Sequence, residues 1–297
     1  MHTIHLVDWK AVIILIIGAT LISFSAVFVK LAAVGPITAG FYRVLFGGGF
    51  LLLFALARGY FRELTRKSLY MALLCGVVFA LDLTWWHKSI HGVGPGLATV
   101  LSNFQVFIMA GAGLILFSER LTLRFVLAVC LAMVGLFMLV KPGWTTLGPQ
   151  WRWGVLFGLL TAVAYAAYIL LVRFLQTKKS FGAVVVNMAL LSLATSLIMG
   201  VQLQLAGESF RIPDGISLAA LAGYGFFSQM VGWILISTAL PRVQVSLAGL
   251  IILLQPSLAF IWDILFFARP TGALEVMGAG LALTAIYLGL TRHKTQS

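Results

Sequence analysis

Asp82 and Trp86 stand four apart in the stretch ALDLTWWHKSIHG, with Ser89 one turn further on. In a helix these three share a face, flanked by Trp85 and His87. A carboxylate in such apolar surroundings is a polar lining or proton-linked group, or else a structural hydrogen-bond partner. Asp263 is the one other acid expected inside an apolar stretch, so neither a relay of several carboxylates nor an acid-lined cation site is expected. Neutral groups supply most of the remaining polarity. Asn103 and Gln105 lie near the middle of one apolar stretch, Gln255 beside Pro256 in another, and Gln229 four residues before Trp233 in a third. Tyr165 and Tyr168 are three apart on one face, and Asn187 stands in an otherwise bland stretch. Such amides either line a polar cavity or bond neighbouring helices. Arg43 is the basic group left at depth, where it must snorkel, pair or face water; a structural pairing is the expectation. No HExxH, GxSxG or GxxxxGK[ST] pattern occurs, so enzymatic chemistry is not expected. Cys75 and Cys130 fall in separate stretches without CxxC spacing, which argues against a disulfide framework and a metal site; no metal and no cofactor is expected.

The elements that carry these groups must be membrane helices. Over 297 residues, 61% are hydrophobic, 9% are charged and the mean hydropathy is +1.07, more apolar surface than a soluble fold can hide. Apolar runs of about 20 residues, each long enough to cross about 30 Å of hydrocarbon, recur along the chain. They predict an all-α integral membrane fold with ten transmembrane helices, near 11–31, 37–57, 69–89, 96–117, 122–140, 154–175, 183–203, 217–238, 244–267 and 272–290. A membrane barrel would show short alternating segments instead. Pro36 suits the opening of the second run, and Gly47, Gly48 and Gly49 permit a bend or close packing there. Gly18, Ser23 and Ser25 in the first run, and Gly278 and Gly280 in the last, are expected to let helices approach closely. His87, Lys88 and His91 approach a helix end and are expected to be solvated. Lys141, Pro142 and Gly143 end the fifth run, after which Trp144, Trp151 and Trp153 form an interfacial belt.

The first run lacks the basic flank and cleavage site of a signal peptide and is expected to be a permanent span. The net charge of +12 sits in loops and forms no continuous patch, so nucleic acid is not an expected partner; the lipid bilayer and a small molecule are. Monomer and dimer stay open. The loop from Arg58 to Lys67, with Arg120, Arg124, Arg173, Lys178, Lys179, Arg242, Arg292 and Lys294, marks one side as cytoplasmic, and both termini lie on it. That side is expected to be the cytoplasmic face of a bacterial-type inner membrane.

The stretch Gly94 to Thr122 recurs in altered form 150 residues later as Gln244 to Gly272. Gln105 falls on Gln255, Leu97 and Ala98 on Leu247 and Ala248, and Phe117 on Phe267. Two five-helix repeats, 1–143 and 144–297, follow. Five is odd, so the second repeat enters the membrane with opposite orientation, an inverted-repeat architecture that recurs among transporters, with the substrate site near the midplane.

The segments GPITAGFYRVLFGGGFLLLFAL, GPGLATVLSNFQVFIMAGAGLILFSERLT and VSLAGLIILLQPSLAFIWDILFF resemble the second, fourth and ninth helices of the drug/metabolite transporter superfamily, EamA branch. Arg43 matches that family's helix-2 arginine. Ser118-Glu119-Arg120-Leu121 matches its glycine-glutamate-arginine-leucine motif, whereas Ala268-Arg269-Pro270 departs from it. The resemblance implies ten helices around a central cavity, alternating access, and export of amino acids or other metabolites, with aromatic amino-acid exporters of the YddG type among the relatives. It makes Asp82, Trp86, Asn103, Gln105, Tyr165, Tyr168, Trp233 and Gln255 the expected substrate-binding lining. Rings and neutral amides suit a ligand with an apolar body and a zwitterionic head, an amino acid with an aromatic or other apolar side chain. The alternatives are another small metabolite or a drug, or a membrane protein that does not transport.

Overall fold

The computed structural model describes residues 8–139 and 150–290. The Lys141-Pro142-Gly143 stop, Trp144, the boundary at 143 and the tail with Arg292 and Lys294 lie outside the described residues. Among those described, helix is the only regular secondary structure. This is the outcome expected where lipid offers backbone groups no partner and each helix satisfies its own. In chain order the elements are α1 (Trp9–Ser23), α2 (Ser25–Leu31), α3 (Pro36–Ala57), α4 (Arg66–Ser102), α5 (Gln105–Phe117), α6 (Leu123–Leu139) and α7 (Trp151–Gln176). They continue as α8 (Phe181–Leu205), α9 (Gly215–Gly223), a π-helical segment (Tyr224–Gly232), α10 (Trp233–Ala239), α11 (Val245–Ile252), α12 (Leu254–Phe267) and α13 (Ala273–Leu290). Eight helical stretches are long and apolar enough to cross a membrane, one of them the 52-residue run Arg66–Phe117. Leu123–Leu139 is apolar and shorter.

Local chemistry sets the boundaries. Thr65, Ser180 and Asp214 cap α4, α8 and α9, each accepting from a backbone N–H three residues on, at 3.1, 3.1 and 2.7 Å. Pro36 opens α3 at its first turn. Gly94 interrupts α4 with φ 80°, a left-handed backbone that glycine adopts without strain, and Pro95 starts the next helical stretch.

The repeat is visible in the backbone. α4 gives way to α5 at Asn103, and α11 gives way to α12 at Leu253, 150 positions later. Ser118 and Ala268, again 150 apart, end α5 and α12 in left-handed conformations with φ 52° and 47°. Phe117 carries the Arg173 guanidinium over its ring at 4.9 Å, and its repeat counterpart Phe267 carries the Lys30 ammonium at 5.0 Å. The break between α11 and α12 precedes Pro256, and the Ser257 hydroxyl donates to the Leu253 carbonyl at 2.9 Å.

The two halves interleave. α3 packs on α8 and the π segment, α4 on α7, α6 on α13, α5 on α11 and α1 on α10, so each pair joins one repeat to the other. Small residues set these crossings, in keeping with membrane packing that has no water to exclude. A methyl at Gly135 would lie 2.6 Å from the Gly278 carbonyl oxygen, and one at Gly18 would lie 2.9 Å from that of Gly232. Gly280, by contrast, faces open space.

The glycine triple of α3 separates in the same way. A methyl at Gly47 would sit 2.4 Å from Gln229 Cβ and 2.9 Å from the Gly225 carbonyl oxygen, whereas Gly49 has nothing within 4 Å. Gly47→Ala should therefore cost about 1–3 kcal/mol in thermal unfolding, from overpacking against backbone. Gly49→Ala should be neutral or slightly stabilising, because alanine is the better helix former.

Two expectations are corrected. His87 is buried rather than solvated, its ring turned towards the start of α3 at Pro36 and Gly40. Asp263 is not the only acid besides Asp82 in an apolar helix: Glu275, in the first turn of α13, is also buried. It is held by Arg269 Nη2 at 3.0 Å and by the Gly272 N–H at 2.8 Å, which removes the cost of leaving it bare.

Candidate functional site

Aromatic rings from three helices close on one another between the two repeats. Tyr168, fully buried in α7, stacks on Phe79 of α4 with centroids 4.4 Å apart and meets Trp233 of α10 edge-on at 4.8 Å. Phe79 and Tyr165 add edge contacts to Trp233 at 6.0 and 6.5 Å. Stacked and edge-on pairs each contribute about 0.5–1.5 kcal/mol beyond the area they bury. Trp233 takes its position directly after the π-helical segment, whose extra residue per turn shifts the register of everything that follows; such segments occur often at functional sites.

Arg43 reaches this cluster from α3. Its Nε donates to Gln229 Oε1 at 3.0 Å and its Nη1 to the Tyr224 hydroxyl at 3.4 Å. Its guanidinium lies over the Tyr224 and Phe79 rings at 5.2 and 5.8 Å. Gln229 in turn donates to Ser192 at 2.9 Å, so one α3 cation is tied to α8 through the π segment. Two bonded donors and two opposed ring faces offset part of the cost of burying this guanidinium.

Asp82, buried in α4, interacts electrostatically with Arg43 and with both tyrosines. Gln255 of α12 faces the Tyr165 hydroxyl. Its Nε2 nevertheless makes no hydrogen bond of regular geometry among the described residues, and the same holds for Tyr168 Oη and Trp233 Nε1. A buried polar atom without a partner costs free energy, so three of them among neighbouring side chains mark a place where a ligand's polar atoms would be stabilised.

Of the eight residues expected to line a binding site, five converge here: Asp82, Tyr165, Tyr168, Trp233 and Gln255. The other three lie elsewhere. Trp86 packs against the small cluster of Val93, Leu97, Ala98 and Leu101 around the Gly94 turn, with its ring 5.3 Å from His87. Asn103 is the residue at which α4 stops, and its Nδ2 donates back to the Thr99 carbonyl at 2.7 Å. Gln105 Nε2 donates to the Gly249 carbonyl at 3.3 Å and thereby bridges α5 and α11. Arg43, Phe79, Gln229, Ser192 and Tyr224 complete the cluster. Phe79 had a sequence signal, its spacing of three from Asp82, but nothing distinguishes one phenylalanine among 22.

Both ends of the helix assembly are tied. At one end the Glu119 carboxylate accepts from the Val245 N–H at 2.6 Å, the Ser246 N–H at 3.0 Å and the Ser246 hydroxyl at 2.6 Å, capping α11 from another segment. Arg173 donates to the Leu240 and Val243 carbonyls just before that helix and interacts electrostatically with Glu119. At the other end Lys30 pairs with Asp263, Arg269 bridges Asp263 at 3.6 Å and Glu275 at 3.0 Å, and Phe24 stacks on Trp262 at 4.5 Å. Arg269 occupies the repeat position of Glu119 and, being a cation, cannot cap a helix N-terminus. The two ends are closed by different chemistry. A recess of about 370 Å³ between Ala33–Gly35 and Glu208–Arg211 lies at the second end, away from the aromatic cluster.

A family model described as the EamA-like transporter family matches the chain twice, over residues 9–141 and 152–291. No curated protein matches. A solved structure described as "Crystal structure of protein" is similar at a TM-score of 0.77 and 18% identity, covering 95% of this chain and 97% of that one; at that identity the likeness concerns the fold.

Proposed function

The chain belongs to the EamA-like transporter family, whose model covers both halves of this multi-pass membrane protein, and on that premise we propose that it exports amino acids with aromatic or other apolar side chains by alternating access. The observation that carries the reading is the presence of one buried carboxylate, Asp82, and one buried guanidinium, Arg43, within a single aromatic cluster to which both repeats contribute. A zwitterion with an apolar body matches such a place on all three counts: ammonium to carboxylate, carboxylate to donors, side chain to rings.

The architecture follows from the same premise. Counting the two arms of Arg66–Phe117 on either side of Gly94 separately, and including Leu123–Leu139, gives ten crossings in two five-helix repeats of inverted orientation, 1–143 and 144–297. The end that carries Arg58, Arg62, Arg66, Arg120, Arg173 and Arg242 is the cytoplasmic one, with both termini, in a bacterial-type inner membrane. The Glu119 clasp is then the cytoplasmic gate, and the Lys30–Asp263–Arg269–Glu275 chain the outer one. Glutamate and guanidinium at these ends would part in turn as the site faces one side and then the other.

Purified protein in liposomes tests this. Labelled phenylalanine, tryptophan, threonine, lysine and a sugar-nucleotide are supplied in turn, with and without a pH gradient. Saturable flux of phenylalanine and tryptophan without a gradient is the expected result for a facilitative exporter. Flux of the sugar-nucleotide alone, or of none, would remove the amino-acid assignment.

A further inference from the structure

We infer that Trp233, Gln255 and Tyr168 form a cradle for the substrate's carboxylate, and so set the transporter's requirement for an α-carboxylate. This rests on the amino-acid export proposed above. Five buried side-chain polar atoms in the described residues lack a hydrogen-bond partner of regular geometry, and three of them belong to this one cluster, Gln255 Nε2 among them with the Tyr165 hydroxyl facing it. The other two are Gln105 Oε1 at the α5–α11 crossing and Gln176 Nε2 near the end of α7, where the Gln176 and Asn187 side chains bond each other at 3.1 Å.

The three clustered atoms are alike in chemistry. An indole N–H only donates, an amide nitrogen only donates, and a phenol hydroxyl can donate. Trp233 is 1% exposed and Tyr168 0%, so bulk water does not satisfy them. Trp233 Nε1 and Tyr168 Oη lack an acceptor and Gln255 Nε2 lacks a well-aligned one, and a carboxylate brings two oxygens with about four lone-pair sites. A phosphate would also accept, but its double charge would have to sit near Asp82. A zwitterion instead brings its own ammonium to that carboxylate. Arg43 lies in the same cluster, its Nε and Nη1 bonded to Gln229 and Tyr224, so the neutral trio would hold the ligand's carboxylate beside a guanidinium fixed in place by those bonds.

The cradle predicts a selectivity that rings alone would not produce. A site built to hydrogen-bond a substrate group rejects the analogue that lacks it far more strongly than a hydrophobic pocket rejects a changed methylene. The experiment compares phenylalanine with phenethylamine, which keeps ring and ammonium but has no carboxylate, in liposomes containing the full chain. Wild-type protein should carry phenylalanine at least about 100-fold more efficiently. In Trp233→Phe, which keeps a ring and removes the N–H, and in Gln255→Met, that ratio should shrink about tenfold or more. The inference is overturned if wild type carries both compounds equally, a result that needs no variant to fold, or if the variants slow both by the same factor. Absence of phenylalanine flux in wild type would overturn the export reading together with this one, whereas phenylalanine flux with an unmoved ratio would overturn this one alone.

Discussion

Arg43→Met should lower the stability of the folded protein by about 3–5 kcal/mol and abolish phenylalanine flux, because it removes two buried hydrogen bonds from a charged donor and leaves their acceptors bare. The methionine fills much of the volume and keeps the helix propensity, so the loss isolates the guanidinium. Four things go with it: the donor to Gln229, the donor to Tyr224, the cation over the Phe79 and Tyr224 rings, and the charge that faces Asp82. The Asp82 share can be separated from the rest. In the double variant Arg43→Met with Asp82→Asn, the bare carboxylate is gone too, and thermal unfolding should recover about 1–3 kcal/mol of the loss. Strict additivity of the two substitutions would mean that the charges are not coupled, and the zwitterion-matched pair would lose its basis.

The second large effect lies at the Glu119 clasp. Glu119→Ala removes three hydrogen bonds that cap α11, each between 2.6 and 3.0 Å. Gln244, the residue before that helix, makes no side-chain cap of its own, so nothing local takes over. Hydrogen bonds to a charged group contribute about 1.5–3 kcal/mol, which corresponds to roughly 10- to 100-fold in an opening equilibrium. Amide hydrogen exchange at Val245 and Ser246 should accelerate by that factor, with little change in the middle of α8. Unchanged exchange at these two amides would show that the clasp holds nothing closed.

Much of the fold is legible in the sequence for a physical reason: lipid forces each crossing to be a long apolar helix, and hydropathy reports this directly. The repeat could be read as well, since Gln105 with Gln255 and Phe117 with Phe267 mark equivalent places. The backbone breaks at Asn103 and Leu253 and the left-handed ends at Ser118 and Ala268 fall on the same offset.

The cluster was readable where polarity stood out against an apolar span, as for Asp82, Tyr165, Tyr168, Trp233 and Gln255. Three residues expected beside these lie outside the cluster, each for a local reason. Asn103 bonds back into the turn that ends its own helix, as asparagine often does at helix ends, and that ties its side chain to α4 rather than to the rings. Trp86 shares a face with Asp82, but a further turn along α4 brings it beside the Gly94 turn and not the rings. Gln105 gives its Nε2 to a crossing between α5 and α11 that only the folded chain creates, away from the rings. The π segment has no composition that marks it, so Gln229 could be placed on a helix face but not against Arg43.

The most direct test of the central claim is equilibrium binding of labelled phenylalanine to the purified protein. Wild type should bind one molecule saturably, with displacement by tryptophan. Asp82→Asn should abolish that binding, and Gln176→Ala, outside the cluster, should leave it intact. Saturable binding that survives Asp82→Asn, or its absence in the wild type, would contradict the assignment of the aromatic cluster as the amino-acid site.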